Sequence, residues 1–244
     1  MKYLLLILSG CCCIFFSCSK SETTEQNQFT LPIPVTGKSY TADEITAFKQ
    51  LTLYSTSTSN GIIAKLPNRV SIYLVDTTYP HLTRELDSII SEINSLLDTN
   101  LVISRTSDRL ASSIQVYLTD RNTYLQNEPS ALSSLQNSNY TGYTRIDWNN
   151  QGLIYHGSVF VDMARTGNDT LQHRYLIHHE MMHVLGFIGH VSLPQFYTVM
   201  FSYTLTPLIT DYTNFDKKLI QLLYNPAIKA GMKEATFDLT VTNL

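Results

Sequence analysis

Residues 178–190 read HHEMMHVLGFIGH, and this stretch carries most of the chemistry visible in the sequence. His179 and His183 are four residues apart, so on a helix their rings lie one turn above each other on the same side. Two imidazoles at this spacing can bind one Zn²⁺ ion, and Glu180 can reach a water molecule without occupying the metal. The stretch therefore predicts an HExxH zinc site on a helix, with Glu180 as the general base.

The segments around this stretch predict the fold. Asn168, Asp169 and Thr170 are N-cap candidates for a helix of about 171–185, which Gly186 closes. Apolar and β-branched patterns predict strands and further helices on both sides of it. The strands are predicted at 70–75, 101–104, 114–118, 143–148 and 158–163, and the other helices at 42–53, 80–98 and 213–224. This order predicts a mixed α/β (α+β) fold, with a mixed twisted sheet, a backing helix and an active-site helix.

The motif resembles the metzincin signature H-E-x-x-H-x-x-G-x-x-H. Four positions match, namely His179, Glu180, His183 and Gly186. Gly189 stands where the third histidine is usual, and His190 follows one residue later. A glycine can absorb an extra residue because it tolerates unusual φ and ψ angles. The resemblance implies that His190 is the third zinc ligand and that the fold is a metzincin-like catalytic domain. In motif and order of elements the resemblance covers residues 70–224.

A second segment, TVMFSY at residues 198–203, resembles the Met-turn of the same family. The resemblance implies that Met200 packs beneath the metal. The tyrosine common in the family two residues after the methionine is replaced by Ser202, and Tyr203 comes one residue later. Tyr203 is therefore either a stabiliser of the oxyanion or a packed aromatic residue beside the site.

Other residues compete with His190 or accompany it. The acidic alternatives for the third ligand are Asp211, Asp216 and Glu234. His178 is one helical step away from the zinc-binding side, and we interpret it as a structural residue or one that supports a ligand. His156 and His173 have no motif around them.

The N-terminal segment predicts export. Residues 3–16 form a short apolar run after Lys2, and Ser17-Cys18 ends it before a polar stretch. This layout resembles a bacterial lipoprotein signal at residues 1–18, with Cys18 as the lipidated residue. Residues 19–40 are then a polar tether, and 41–244 a single metallopeptidase-like domain. Cys11 and an ordinary secretory signal are the alternatives.

Composition limits the partners. The net charge is −3, 15% of the residues are charged, and there is no basic run, so nucleic acid is not expected as a partner. All four cysteines lie within the first 18 residues, which leaves none for a disulfide framework in the domain. We expect a monomer, anchored by lipid in the cell envelope, on the outer membrane of a bacterium.

These observations predict a zinc-dependent metallopeptidase that hydrolyses peptide bonds with a metal-activated water and Glu180 as general base. An extended protein or peptide substrate would lie along a sheet edge, which we expect within residues 153–161. The alternative is a catalytically silent, metzincin-like lipoprotein that acts as a binding module. A structural zinc site is disfavoured because three histidines leave one coordination position open. The sequence does not identify the substrate, and it leaves open whether residues 19–65 act as a latent pro-segment.

Overall fold

The computed structural model describes residues 40–54, 61–97, 101–192, 196–202, 207–242 and 244. In this part of the chain the strands are β1 Arg69–Leu74, β2 Val102–Arg105, β3 Ile114–Thr119, β4 Gly142–Trp148 and β5 Ile154–Asp162. The helices are α1 Ala42–Thr52, α2 Pro80–Leu96, α3 Arg121–Asn127, α4 Leu132–Leu135, α5 Met163–Thr166, α6 Thr170–Leu185, α7 Asn214–Leu223 and α8 Glu234–Val241. A 3₁₀ turn, Pro129–Ala131, joins α3 to α4. The predicted lipidation residue, Cys18, lies outside the described residues.

The strands form one sheet in the order β2-β1-β3-β5-β4. Strands β1, β2, β3 and β5 run parallel, and β4 pairs antiparallel with β5. The predicted mixed α/β fold with a mixed sheet is therefore confirmed. All of the helices and strands predicted from the sequence are present, with ends that differ by a few residues.

The predicted position of the sheet edge is wrong. Residues 153–161 fall almost entirely in β5, which pairs with β3 on one side and with β4 on the other. The burial pattern explains this, because β5 is buried at consecutive positions from Gly157 to Asp162, as an interior strand must be. The edge beside β5 is β4, whose residues are all half-buried.

The two faces of the sheet have separate apolar layers. Val116 and Leu118 of β3 contribute to the main core, which also contains the buried residues of α2 and α6. Tyr117 and Phe160 point to the opposite face, where they pack with Tyr124 of α3 in a smaller cluster. Successive side chains of a strand point to opposite faces, so β3 and β5 are buried on both.

The N-terminal helix α1 belongs to the main core. It begins with a capping box between Thr41 and Glu44, and its residues Phe48 and Leu51 are fully buried. Lys49 forms ion pairs with Glu234 at 3.1 Å and with Asp238 at 2.6 Å, both of α8. Helix α1 therefore holds the C-terminal helix against the domain.

Among the described residues, the helices are too short or too polar to cross a membrane. The short helices α3, α4 and α5 and the C-terminal α8 were not predicted. They have four to eight residues each, which is too few for a clear apolar periodicity.

Candidate metal centre

Helix α6 presents two of the predicted ligands. Its N-cap is Asp169, whose side chain accepts a hydrogen bond from the Gln172 backbone, and it ends at Gly186 in the left-handed conformation, with φ of 118°. A Cβ on Gly186 would lie 2.2 Å from the Ala64 carbonyl oxygen, so both conformation and space require glycine. The chain reverses here and returns towards the face of α6 that carries His179 and His183.

The three predicted histidines converge. The Nε2 atom of His179 lies 3.2 Å from that of His183 and 3.1 Å from that of His190. The three ring centroids are 4.8 to 5.1 Å apart. His179 is buried, His183 is half-buried and His190 is exposed, so the group extends from the interior to the surface of the protein.

Backbone carbonyls fix the tautomers of two of these rings. Nδ1 of His179 is 2.7 Å from the Val199 carbonyl oxygen, and Nδ1 of His183 is 2.5 Å from that of Phe187. Because a carbonyl only accepts, each Nδ1 carries the proton and each Nε2 is left with a lone pair. Burial, together with the neighbouring imidazoles, lowers the pKa of His179 to about 3 and that of His183 well below its ordinary value.

Two unprotonated nitrogens 3.2 Å apart cannot hydrogen-bond to each other, so their lone pairs face one another without a shared proton. A cation between them removes this repulsion. Nitrogens bound at 2.0–2.1 Å to one tetrahedral ion are about 3.3 Å apart, close to the separations seen here. The group formed by His179, His183 and His190 could therefore hold a metal ion.

Glu180 follows His179 on α6, and its side chain is held by the edge strand. Its carboxylate is buried, and Oε2 accepts a 2.7 Å hydrogen bond from the Thr144 hydroxyl of β4. A Cβ on Gly142 would lie 2.5 Å from Oε1, so the glycine makes room for the carboxylate. Burial raises the pKa of Glu180 to about 8, and the Thr144 hydrogen bond opposes that shift. The side chain is thus poised to hold or accept a proton near neutral pH.

The Met200 segment, residues 198–202, contacts both α6 and the loop that returns from it. Val199 supplies the carbonyl that orients His179, and Met200 is fully buried. The Met200 carbonyl accepts from the backbone of Val191, directly after His190. The predicted Tyr203 lies outside the described residues.

The acidic residues considered as alternatives to His190 have other roles. Asp216 accepts hydrogen bonds from the backbones of Thr213 and Val199, so it caps α7 and fixes the Met200 segment. Glu234 pairs with Lys49, and Asp211 pairs with Arg174. None of the three belongs to the group of histidines.

His178 joins a second group with Glu85 and Asp211, whose potential ligand atoms lie within 4.8 Å of one another. Arg174 bonds to both carboxylates of this group, with 3.1 Å between its Nε and Glu85. The Arg174 guanidinium therefore already compensates the negative charge of these carboxylates. His178 itself donates Nδ1–H to the Arg174 carbonyl and packs against Tyr212, as a structural residue does.

His156 and His173 lie elsewhere. His156 is 3.6 Å from Glu128, and Nε2 of buried His173 bonds to Thr166 at 2.8 Å. Reasoning from sequence missed Thr144 and Gly142, because their role depends on the pairing of β4 beside α6. Nothing in the local pattern of residues 142–148 indicates a contact with a helix 36 residues away.

Comparison with known families matches residues 42–242 to the family described as protein of unknown function DUF2927. The chain belongs to this family, since the match covers most of its length. No curated protein matches the chain.

Proposed function

We propose that this protein is a zinc-dependent metallopeptidase with a metzincin-like catalytic domain. One observation carries the proposal. The Nε2 atom of His179 lies 3.1–3.2 Å from those of His183 and His190. Glu180, the next residue on α6, is a buried carboxylate that no cation compensates among the described residues. Three histidine ligands leave the fourth tetrahedral position open, which is typical of catalytic rather than structural zinc.

Zinc, when bound to His179, His183 and His190, would polarise a carbonyl and lower the pKa of a water molecule. Glu180 supplies the base. It takes the proton from the attacking water and then donates it to the leaving amine, so that the amide bond breaks while a carbon–oxygen bond forms. Thr144 keeps the carboxylate oriented through both transfers.

The edge strand β4 supports a peptide as the substrate. Its outer side has no strand partner among the described residues, and its inner side pairs with β5. An extended peptide can add to such an edge through backbone hydrogen bonds. Because Gly142 and Thr144 contact Glu180, a peptide along β4 would bring an amide bond close to the base. A lipid anchor at Cys18 would hold this activity in the cell envelope.

The test combines metal content with cleavage of a peptide library by the purified full chain. We expect about one zinc per chain in the wild type. The Glu180→Gln variant keeps the shape and the Thr144 contact, and we expect it to retain zinc while losing at least about 100-fold in cleavage rate, as when a general base is removed.

Glu85→Gln is the matched control, since Glu85 is the glutamate of the second group, and its cleavage rate should be unchanged. Bound zinc without cleavage of any peptide would favour the binding module instead. Absence of zinc from the wild type would overturn the proposal.

A further inference from the structure

We propose that the N-terminal helix α1 is part of the metal centre, because its contact with Gly189 sets the position of His190. This inference rests on the proposed zinc site and concerns how its third ligand is held. It assigns positioning roles to Gly189 and to the last turn of α1.

His190 differs from the other two histidines in its support. Val199 and Phe187 supply carbonyl acceptors to the Nδ1 atoms of His179 and His183. No such partner of His190 exists among the described residues, and the residue as a whole is exposed. Among the described residues, the contacts that hold it in position are those of the loop backbone that carries it.

That loop is docked on α1 immediately before His190. The Gly189 N–H donates to the Leu51 carbonyl at 2.8 Å. A Cβ on Gly189 would lie 2.4 Å from the Gln50 carbonyl oxygen and 3.3 Å from the Leu51 Cα atom. The φ angle of Gly189 is not in the left-handed region, so glycine is needed for close approach to a backbone and not for an unusual conformation.

Two further contacts hold the loop that carries His190. The ring of Phe187, whose carbonyl orients His183, packs edge-to-face on Phe48 of α1 with centroids 6.2 Å apart. On the other side of His190, the Val191 N–H donates to the Met200 carbonyl at 2.9 Å. The loop is thus held between α1 and the Met200 segment. Gly189, which stands where the metzincin motif has its third histidine, contacts the backbone of α1 directly.

Helix α1 is firmly anchored and is therefore a suitable support. Phe48 also stacks on Phe237 of α8 at 4.8 Å, and Ala47, Phe48 and Leu51 are fully buried. Because α1 is so deeply placed in the core, we expect it to remain part of the domain. Cleavage within residues 41–54 would remove the support of His190 rather than release a latent site.

The test substitutes Gly189→Ala in the full chain and uses Gly157→Ala as the control. A Cβ on Gly157 meets no atom closer than 3.4 Å, so that variant adds the same methyl group without a clash. We expect Gly189→Ala to weaken zinc binding by about 10- to 100-fold, as loss of an outer support of a ligand does. The spectrum of bound Co²⁺ should change towards that of His190→Ala, whereas Gly157→Ala should match the wild type.

Phe187→Leu provides a second variant that adds no volume, and it should shift zinc affinity in the same direction by less. Hydrogen exchange of the backbone amides at 187–191 in the metal-free protein should be faster in Gly189→Ala, which tests the docking without any metal. If wild-type and Gly189→Ala proteins show equal exchange, α1 does not position the loop. If exchange differs but zinc affinity and the Co²⁺ spectrum equal those of Gly157→Ala, the loop does not control His190. Failure of the wild type to bind zinc would instead contradict the proposed function.

Discussion

His178 and His179 are neighbours on α6, and each belongs to a group of three potential ligands within 4.8 Å. Both donate Nδ1–H to a backbone carbonyl, so both leave Nε2 free to bind a cation. Around His178, the Arg174 guanidinium already joins the two carboxylates. Around His179, no lysine or arginine of the described residues pairs with the imidazoles or with Glu180. Convergence of potential ligand atoms is common to both groups, and among the described residues only the His179 group lacks a cation.

The first prediction concerns the ligands themselves and has the largest effect. We expect His183→Ala to lower zinc affinity by more than about 100-fold, because it removes a ligand and not merely a residue that supports one. His178→Ala is the matched control, one position from the motif, and its zinc stoichiometry should equal that of the wild type. The measurement is a competition titration with a chromophoric chelator. Loss of zinc from His178→Ala, with His183→Ala unaffected, would reverse the assignment of the two groups.

The second prediction concerns Asp216, the buried acid that holds the Met200 segment. Burial raises its pKa from 3.8 to about 6, and its hydrogen bonds from Thr198, Thr213 and Val199 oppose that shift. The folded state therefore keeps a proton that the unfolded state releases, so this group contributes stability below about pH 4 that is lost as the pH rises to 6. The difference corresponds to about 3 kcal/mol at 1.36 kcal/mol per pKa unit.

Denaturant unfolding of the metal-free protein between pH 4 and 7 measures this effect. Buried histidines give the opposite slope, so the comparison must be made with Asp216→Asn, which retains them. The stability of the wild type relative to this variant should fall as the pH rises. A difference that does not change with pH would show that Asp216 is ionised throughout.

The third prediction tests the role of the cation in the His178 group and has the smallest effect. Arg174→Met leaves Glu85 and Asp211 without their partner. We expect a second and weaker equivalent of zinc in calorimetric titration, with a change in stability below about 1 kcal/mol, because the ion pairs are partly exposed. Arg165→Met, which changes an arginine that contacts neither group, should bind one equivalent. One equivalent in both variants would mean that geometry, not Arg174, excludes metal from the His178 group.

Local patterns were sufficient for much of the fold. The apolar stripe of α2, the capping signals of α6 and the β-branched runs of β1 and β3 are properties of contiguous residues. The order of the strands is not such a property. The expected edge within residues 153–161 was wrong because an apolar run does not reveal which strands pair on either side of it.

The candidate site likewise has a part that follows from local sequence and a part that depends on the tertiary structure. The spacing of His179, Glu180 and His183 on a helix defines their geometry, so their proximity follows from sequence. The contact of Gly189 with α1 and of Gly142 with Glu180 joins segments that are far apart in the chain. Such contacts are visible only in the tertiary structure. The sequence alone suggested that Gly189 is needed for its conformational freedom, whereas in the structure it is needed because a Cβ would clash with the backbone of α1.

The attachment of α1 to α8 also affects the order of assembly. Lys49 and its partner Asp238 are separated by 189 positions, and Phe48 and Phe237 by a similar distance. During synthesis from the N-terminus, α1 has no complete docking surface until α8 has been made. On the proposal that α1 positions the loop with His190, a chain that lacks α8 would also lack a well-positioned third ligand. Metal binding at the proposed site would therefore require that α8 has been made, and truncation before α8 would weaken it from a distance.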